Sequence, residues 1–347
     1  MSTISEIAKR ANVSRGTVDR VIHNRGRVSK ENAEKVKKVL KELNYKPNIF
    51  ARGLSLSKEY RFGVLIPDTS NDVGYWRLPA KGIQKAQDEL LRYNVKVEYF
   101  NYDNSTEISF KKACDSVLQK RTELDGLLIA PVLSKSIEGF ISDLPPSLPY
   151  VFIDANIPNT KSISYIGSNS YKSGLTAGRL MKTLIKNTTT PCHVGIIQES
   201  PENFHINRRI EGFKDFMSTE SPSNIMVYDA DRRKDTKIIR KVTCQILEES
   251  PEIRGIFIPS CCCNEVAACI KEVNPENKIY VIGYDLTNEN IELVTQGYID
   301  FLLSQRPEIQ GYQGIYTLYQ YTVLGERVEK EYILPFDIFV KENLHFQ

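Results

Sequence analysis

The chain has 347 residues, 41% hydrophobic and 26% charged, which is long enough for two or three domains and too apolar for a disordered protein. No apolar run approaches the ~20 residues that span a bilayer, and the opening MSTISEIAKRANVS offers no apolar stretch for an export signal, so a cytoplasmic protein is expected. Net charge is only +3, but residues 1–59 carry +8 and the remainder −5, which points to a basic nucleic-acid-binding head on a mildly acidic body.

In the head, Ser5 to Arg10 pattern as a helix with Ile7 and Ala8 apolar and Ala11 closing it. ANVS breaks the pattern, and Ser14 is placed to cap a second helix, RGTVDRVIH. Val18, Val21 and Ile22 form its apolar face, while Arg15, Gly16, Asp19, Arg20 and His23 point largely elsewhere. A third helix over Lys30–Leu43 carries Ala33, Val36, Val39, Leu40 and Leu43 at helical spacing. Three short helices with a tight turn between the first two make a helix-turn-helix, whose second helix enters the major groove.

The run from Ser5 to Leu54 resembles the head of the LacI/GalR family of bacterial repressors. The shared elements are I-A-x-x-A-x-V-S-x-x-T-V-x-R-V, then V-S, then L-x-Y-x-P-N-x-x-A-R-x-L. The resemblance implies that Arg15, Gly16 and Arg20 face the major groove, with Ser14, Thr17 and His23 near phosphates and Arg27 also on the DNA side. Asp19 and His23 depart from the family's usual serine and asparagine. Asp19 lies four residues from both Arg15 and His23, positions that meet on a helix surface. Three readings of it stand: it orients Arg15 toward a guanine, it accepts from a cytosine amino group, or it is a tolerated surface residue. Gly16 has no side chain with which to read a base, so the operator should differ from those of better-known members.

The segment NYKPNIFARGLSLSKEYRF joins head to body. In the resembling family this segment becomes helical only on operator DNA, and a leucine wedges into a minor-groove step. On that pattern Leu54 is the wedge, Ala51 and Arg52 line the groove, and Asn48 opens the segment as a further DNA contact. Gly53 costs about 1 kcal/mol of helix propensity, which makes folding of the segment more dependent on DNA.

From Phe62 the period changes. FGVLIP, VKVEYFNY, LDGLLIAP, PYVFIDA, SISYIGS, CHVGIIQ, NIMVYDA, RGIFIPS and KIYVIGYD are short apolar strands, and helical stretches such as Ala80–Arg92, Ser109–Arg121, Ser173–Ile185, Asn207–Met217 and Thr236–Glu248 lie between them. This alternation predicts mostly parallel, doubly wound sheets, with units enough for two lobes and a ligand site in the cleft between them. G-x-G-x-x-G, G-x-x-x-x-G-K-[ST] and G-x-S-x-G are all absent, so an enzyme is not expected. Seven cysteines and four histidines fall in no ligand-like spacing, so neither a metal nor a cofactor is expected, and the cysteines suit a reducing compartment.

The body resembles the periplasmic-binding-protein-like domain of the same family, nearest its ribose-type branch. The resemblance places Tyr75 and Trp76 where aromatics stack on a sugar ring. It matches Arg209, three residues before Gly212, to an arginine that forks onto sugar hydroxyls, with a surface salt bridge as the other reading. It matches Asp285 to a ligand-accepting carboxylate and Gln305 to a hinge-side contact, and Asp154 is a further candidate. Ser260 stands where relatives often carry asparagine, beside Cys261–Cys263, which read as packing residues. Leu133 and Ser134 stand where ribose-binding relatives carry an aspartate. Arg208 beside Arg209 leaves a phosphorylated sugar open.

The expected architecture is therefore α plus α/β. A helix-turn-helix head spans 1–46, a hinge 47–60 and a two-lobed doubly wound body 61–347, with one lobe from 61–163 and 303–330 and the other from 164–302 and 331–347. The expected function is a sequence-specific transcriptional regulator, acting as a homodimer on double-stranded operator DNA and controlled by a monosaccharide-type effector, with no membrane partner. The alternative is a cytoplasmic sugar-binding protein without regulatory DNA binding.

Overall fold

The computed structural model describes residues 4–22, 28–43, 58–69, 74–132, 134–186, 193–201, 203–218, 224–231, 235, 237–273 and 278–344. The chain divides into two units, Met1–Leu56 and Ser57–Gln347.

In the first unit, α1 (Ile4–Ala11), α2 (Arg15–Ile22) and α3 (Lys30–Glu42) enclose a small core of Ile7, Ala8, Ala11, Val18, Val36 and Val39. The tight turn after α1 rests on Asn12, whose φ of 52° is left-handed. The N–H of Val13 then reaches the carbonyl of Ala8 at 3.0 Å and that of Asn12 the carbonyl of Lys9 at 3.4 Å, a helix end that asparagine tolerates. Ser14 caps α2 as its position predicts, its hydroxyl accepting from the Thr17 N–H at 3.1 Å.

The second unit opens with β1 (Tyr60–Pro67), α4 (Arg77–Leu90), β2 (Val95–Tyr102), α5 (Glu107–Lys120), β3 (Gly126–Ile129), α6 (Ser134–Asp143), β4 (Tyr150–Ile153) and β5 (Ser164–Ser168). A second series follows in α7 (Ser170–Ile185), β6 (His193–Gln198), α8 (Phe204–Ser218), β7 (Asn224–Asp229) and α9 (Ile238–Glu249). It continues through β8 (Ile253–Phe257), α10 (Cys263–Val273), β9 (Tyr280–Tyr284), α11 (Asn288–Thr295) and β10 (Phe301–Ser304). The chain closes on α12 (Pro307–Tyr319), β11 (Glu331–Leu334) and β12 (Asp337–Phe339).

These strands form two six-stranded sheets in the orders β2-β1-β3-β4-β5-β11 and β7-β6-β8-β9-β10-β12. Among the described residues, only the β10–β12 pairing is antiparallel. Every residue of β3, β4 and β5 is buried, as strands covered by helices on both faces require. Among the described residues, no helix is long and apolar enough to cross a membrane.

The lobe boundaries differ from those expected. β5, at 164–168, pairs with β4 in the first sheet, and β11, at 331–334, pairs with β5 there. β10, at 301–304, belongs to the second sheet beside β9. The first lobe therefore holds residues 164–168 and 331–334, which the expected bounds place in the second, and the chain re-enters it at α12, not at 303. Hydrophobic alternation marks a strand but carries no record of which neighbour it hydrogen-bonds.

Three crossings join the lobes: β5 to α7, β10 to α12 and β11 to β12. Asn169 at the first accepts from the Lys172 N–H at 2.9 Å and caps α7. Arg306 at the second has a left-handed φ of 56°, and its guanidinium makes two 2.7 Å bonds to Asp337, tying the second crossing to the strand beyond the third.

Candidate functional site

In open α/β sheets, ligands meet the carboxyl ends of the strands, and here the two sheets present matching positions. β4 and β9 are each the fourth strand of their sheet. Each ends in an aspartate held in the left-handed region, Asp154 at φ 65° and Asp285 at φ 63°. After β1 come Tyr75 and Trp76, leading into α4. After β6, the second strand of its own sheet, comes α8 with Arg209.

The first lobe's groups are hydrogen-bonded to one another. Tyr75 donates its hydroxyl to Asp154 Oδ1 at 2.6 Å, and its ring meets that of Trp76 edge-on at 5.0 Å. The backbone N–H of Asp154 donates to Gln310 Oε1 at 2.8 Å, and its carbonyl accepts from the Tyr165 hydroxyl at 3.2 Å. Gln310 in turn donates to the Gln305 carbonyl at 2.9 Å. Through Gln310, the Asp154 turn is held to the second crossing.

The second lobe places a charge in the interior. Gly174 and Gly212 let α7 and α8 approach until a β-carbon at either would collide with a backbone carbonyl of the other helix, that of Arg209 or of Tyr171. Arg209 is buried, donating to the Pro259 carbonyl at 2.8 Å and to Gln305 Oε1 at 2.9 Å. Its guanidinium carbon lies 4.0 Å from the centre of the Tyr284 ring. Burial opposes its charge, but Tyr284, Asp285 and Asp154 outweigh that and raise its pKa.

Gln305 is the junction: besides accepting from Arg209, its Nε2 donates to the Tyr75 hydroxyl at 2.9 Å and points at Asp285 Oδ2 at 3.4 Å. Burial pushes the Asp285 carboxyl up to about 7, with Arg209 pulling it down and Asp154 pushing it further up. Asp285 Oδ1 and Arg209 Nε are buried without a hydrogen-bond partner in the protein. Buried polar atoms are satisfied in nearly every native structure, and here an unpartnered acceptor and an unpartnered donor sit on two groups joined through Gln305.

Tyr75, Trp76, Asp154, Arg209, Asp285 and Gln305 are thus brought together, and Arg209 is not a surface salt bridge. Ser260 is buried close by, its carbonyl accepting from the Tyr284 N–H at 3.2 Å. Cys262 and Cys263 belong to the second lobe's core, which agrees with a packing role. Arg208 points elsewhere: its guanidinium stacks 4.7 Å from the Tyr171 ring and pairs with Glu211.

In the head, Val18 of α2 is fully buried, while Arg15, Gly16 and Arg20 are exposed. The hydroxyls of Ser14 and Thr17 are 2.9 Å apart at the helix start. His23, Arg27, Asn48, Ala51, Arg52 and Leu54 lie outside the described residues, as does Leu133.

Residues 3–48 match the family of bacterial regulatory proteins known as lacI, and residues 62–327 match a periplasmic binding protein domain. A ribose operon repressor from Halalkalibacterium halodurans is 31% identical over 263 residues, 75% of this chain and 72% of that protein. The chain belongs to the lacI family of bacterial transcriptional regulators. A second ribose operon repressor, from Lactococcus lactis, is 27% identical over 82% of this chain and 81% of its own length. A solute-binding protein from Agrobacterium radiobacter, solved with D-arabinose, has the same fold, with a TM-score of 0.72 over 84% of this chain and 97% of that one at 22% identity. The homologues are regulators, which weighs against an enzyme, and the lacI-type head weighs against a sugar carrier without DNA binding.

Several cleft residues of this regulator were not singled out from sequence. His205, four residues before Arg209 on α8, accepts from the Asn156 N–H of the first lobe through Nε2 at 3.0 Å. Its Nδ1 therefore carries the proton and donates to Ser170 Oγ at 2.8 Å. Burial pushes its pKa down to about 4, with Asp154 opposing and Arg209 adding to the shift. Gln310, Tyr165 and Tyr284 were also missed. The one available signal was the i, i+4 spacing of His205 and Arg209, two polar residues on the inward face of an otherwise amphipathic helix.

Proposed function

We propose that this regulator acts in the cytoplasm as a homodimeric repressor of a pseudo-palindromic operator and is controlled by an uncharged monosaccharide-type effector held between its lobes. Tyr75 and Trp76 offer aromatic faces to the sugar's C–H surface. Asp154, Arg209, Ser260, Asp285 and Gln305 offer hydroxyl partners. The observation that carries this reading is the orphaned pair, Asp285 Oδ1 and Arg209 Nε. A hydroxyl both donates and accepts, so adjacent hydroxyls of one polyol satisfy both atoms. The names of the two ribose operon repressors point to the same chemistry. A phosphorylated sugar fits poorly, because Arg208 is engaged with Tyr171 and Glu211, and the buried Arg209 guanidinium already feels the carboxylates of Asp285 and Asp154.

In the head, Arg15, Gly16, Asp19 and Arg20 form the major-groove face, Ser14, Thr17 and His23 approach phosphates, and Arg27 and Asn48 add contacts. Ala51, Arg52 and Leu54 enter the minor groove. Effector binding changes the angle between lobes and so the spacing of the two Leu54 segments in the dimer. The coupling is on the order of 1–3 kcal/mol, enough to release an operator.

The test is a thermal-shift screen of neutral monosaccharides, sugar alcohols and sugar phosphates on the wild type and Arg209→Ala. Each stabilising compound is then added to protein bound to an operator selected from random DNA. A ligand at 100 times its Kd adds about 2.7 kcal/mol of stability. A neutral sugar that stabilises only the wild type and shifts operator affinity supports the reading; stabilisation by sugar phosphates alone, or equal stabilisation of Arg209→Ala, overturns it.

A further inference from the structure

On the flank of the second lobe, α9 and α10 lie side by side, and two cysteines face each other across them. Cys244 Sγ and Cys269 Sγ are 2.8 Å apart, closer than the ~4 Å at which nonbonded heavy atoms ordinarily touch. Both are free thiols. Cys244 is half-buried, whereas Cys269 is buried. Arg240, one turn before Cys244 on α9, pairs with Glu272 of α10, one of its two bonds being 3.2 Å. Its backbone carbonyl lies 3.9 Å from Cys269 Sγ. That ion pair holds the helices together at the level of the thiols and keeps a guanidinium near them.

We propose that Cys244 and Cys269 are a redox modification site, a dithiol that a peroxide converts to a disulfide clamping α9 to α10. The two sulfurs have different parts. Cys244 is half-buried and Cys269 buried, so Cys244 meets the peroxide first; burial and the contact with Cys244 raise the Cys269 pKa, with Arg240 opposing. The Cys244 thiolate attacks one oxygen of hydrogen peroxide. The O–O bond breaks, hydroxide leaves and takes up a proton as water, and Cys244 becomes a sulfenic acid. The Cys269 sulfur then attacks the Cys244 sulfur, gives up its proton, and displaces the hydroxyl as a second water. Two thiols lose two electrons and two protons, and one peroxide becomes two waters. A low-molecular-weight thiol reverses the bond by exchange.

The clamp has a consequence at the cleft. α10 begins at Cys263, three residues after Ser260, and the Cys263 sulfur fills the space against Gly283, just before Tyr284 and Asp285. Oxidation therefore stiffens the helix that abuts the second lobe's half of the site, and a bond closing the loop between residues 244 and 269 stabilises the folded lobe.

The test treats the full-length folded protein with hydrogen peroxide and follows intact mass, non-reducing peptide maps and thermal unfolding. The expected result is the loss of two hydrogens, a crosslinked peptide pair containing Cys244 and Cys269, and a melting temperature raised by several degrees and restored by dithiothreitol. Cys244→Ser and Cys269→Ser should lose all three changes, while Cys262→Ser keeps them. Circular dichroism of each untreated variant checks that it is folded. Sulfinic acid at Cys244 without a crosslink, a crosslink through another cysteine, or no reaction of the folded wild type would each overturn the proposal.

Discussion

The two lobes share one strand order and put an aspartate in the same left-handed conformation at the same place in each sheet, yet the two carboxylates live differently. Asp154 is half-buried and takes a 2.6 Å hydrogen bond from Tyr75. Asp285 is buried, with one oxygen unpartnered and its proton held up to about 7. The named groups of the first lobe's half are hydrogen-bonded to one another, whereas the second lobe's half keeps two buried polar atoms without a partner in the protein. A duplicated backbone geometry thus leaves the chemistry of a site to the side chains packed around it.

The largest test of this contrast is Asp285→Asn. The folded pKa of Asp285 lies above its unfolded value, so its contribution is fully present below about pH 4 and is lost as pH rises through 7. Asparagine carries no charge, so the variant should be more stable than the wild type at pH 8, by roughly 4 kcal/mol. The difference should vanish near pH 4, while effector affinity falls. Denaturant melts across that range measure it, and a pH-independent difference would place Asp285 in contact with water.

His205 titrates with the opposite sign. Its folded pKa of about 4 lies below the unfolded value, so its stabilisation is complete above about pH 6.5 and is lost as pH falls toward 4. In His205→Gln the acid-labile part of the stability, roughly 3 kcal/mol, should disappear between those limits in the same melts. Equal acid sensitivity of variant and wild type would mean that another group carries it.

The smallest effect is expected in the first lobe. Tyr75→Phe removes the hydroxyl that donates to Asp154 and accepts from Gln305 but keeps the ring. Stability should fall by about 1–2 kcal/mol. Calorimetry should show effector affinity reduced less than tenfold, in contrast to the loss expected at Arg209. A loss in Tyr75→Phe as large as that in Arg209→Ala would erase the distinction between lobes.

Much of the head and the body's class was legible because it is written locally. Val18, Val36 and Val39 repeat at helical spacing, and Ser14 sits where a cap belongs. Runs such as Leu127–Ile129 and Val151–Ile153 are continuous apolar strands. β10, β11 and β12 were not read, because three or four residues carry too little periodicity to stand out from the loops around them. Arg209, Asp285 and Gln305 were found through family resemblance, since nothing in their own spacing joins residues 96 positions apart such as Arg209 and Gln305.

By itself, then, the sequence determined what depends on neighbouring residues: the helix-turn-helix, the alternation of strand and helix, the basic head and the acidic body. Only the tertiary structure decided which sheet β5 and β11 join, that His205 bridges the lobes, that Arg208 faces away while Arg209 is buried, and that Cys244 meets Cys269. Each of these rests on long-range packing and on desolvation, which arise when distant segments exclude water together and leave no periodic trace in the chain.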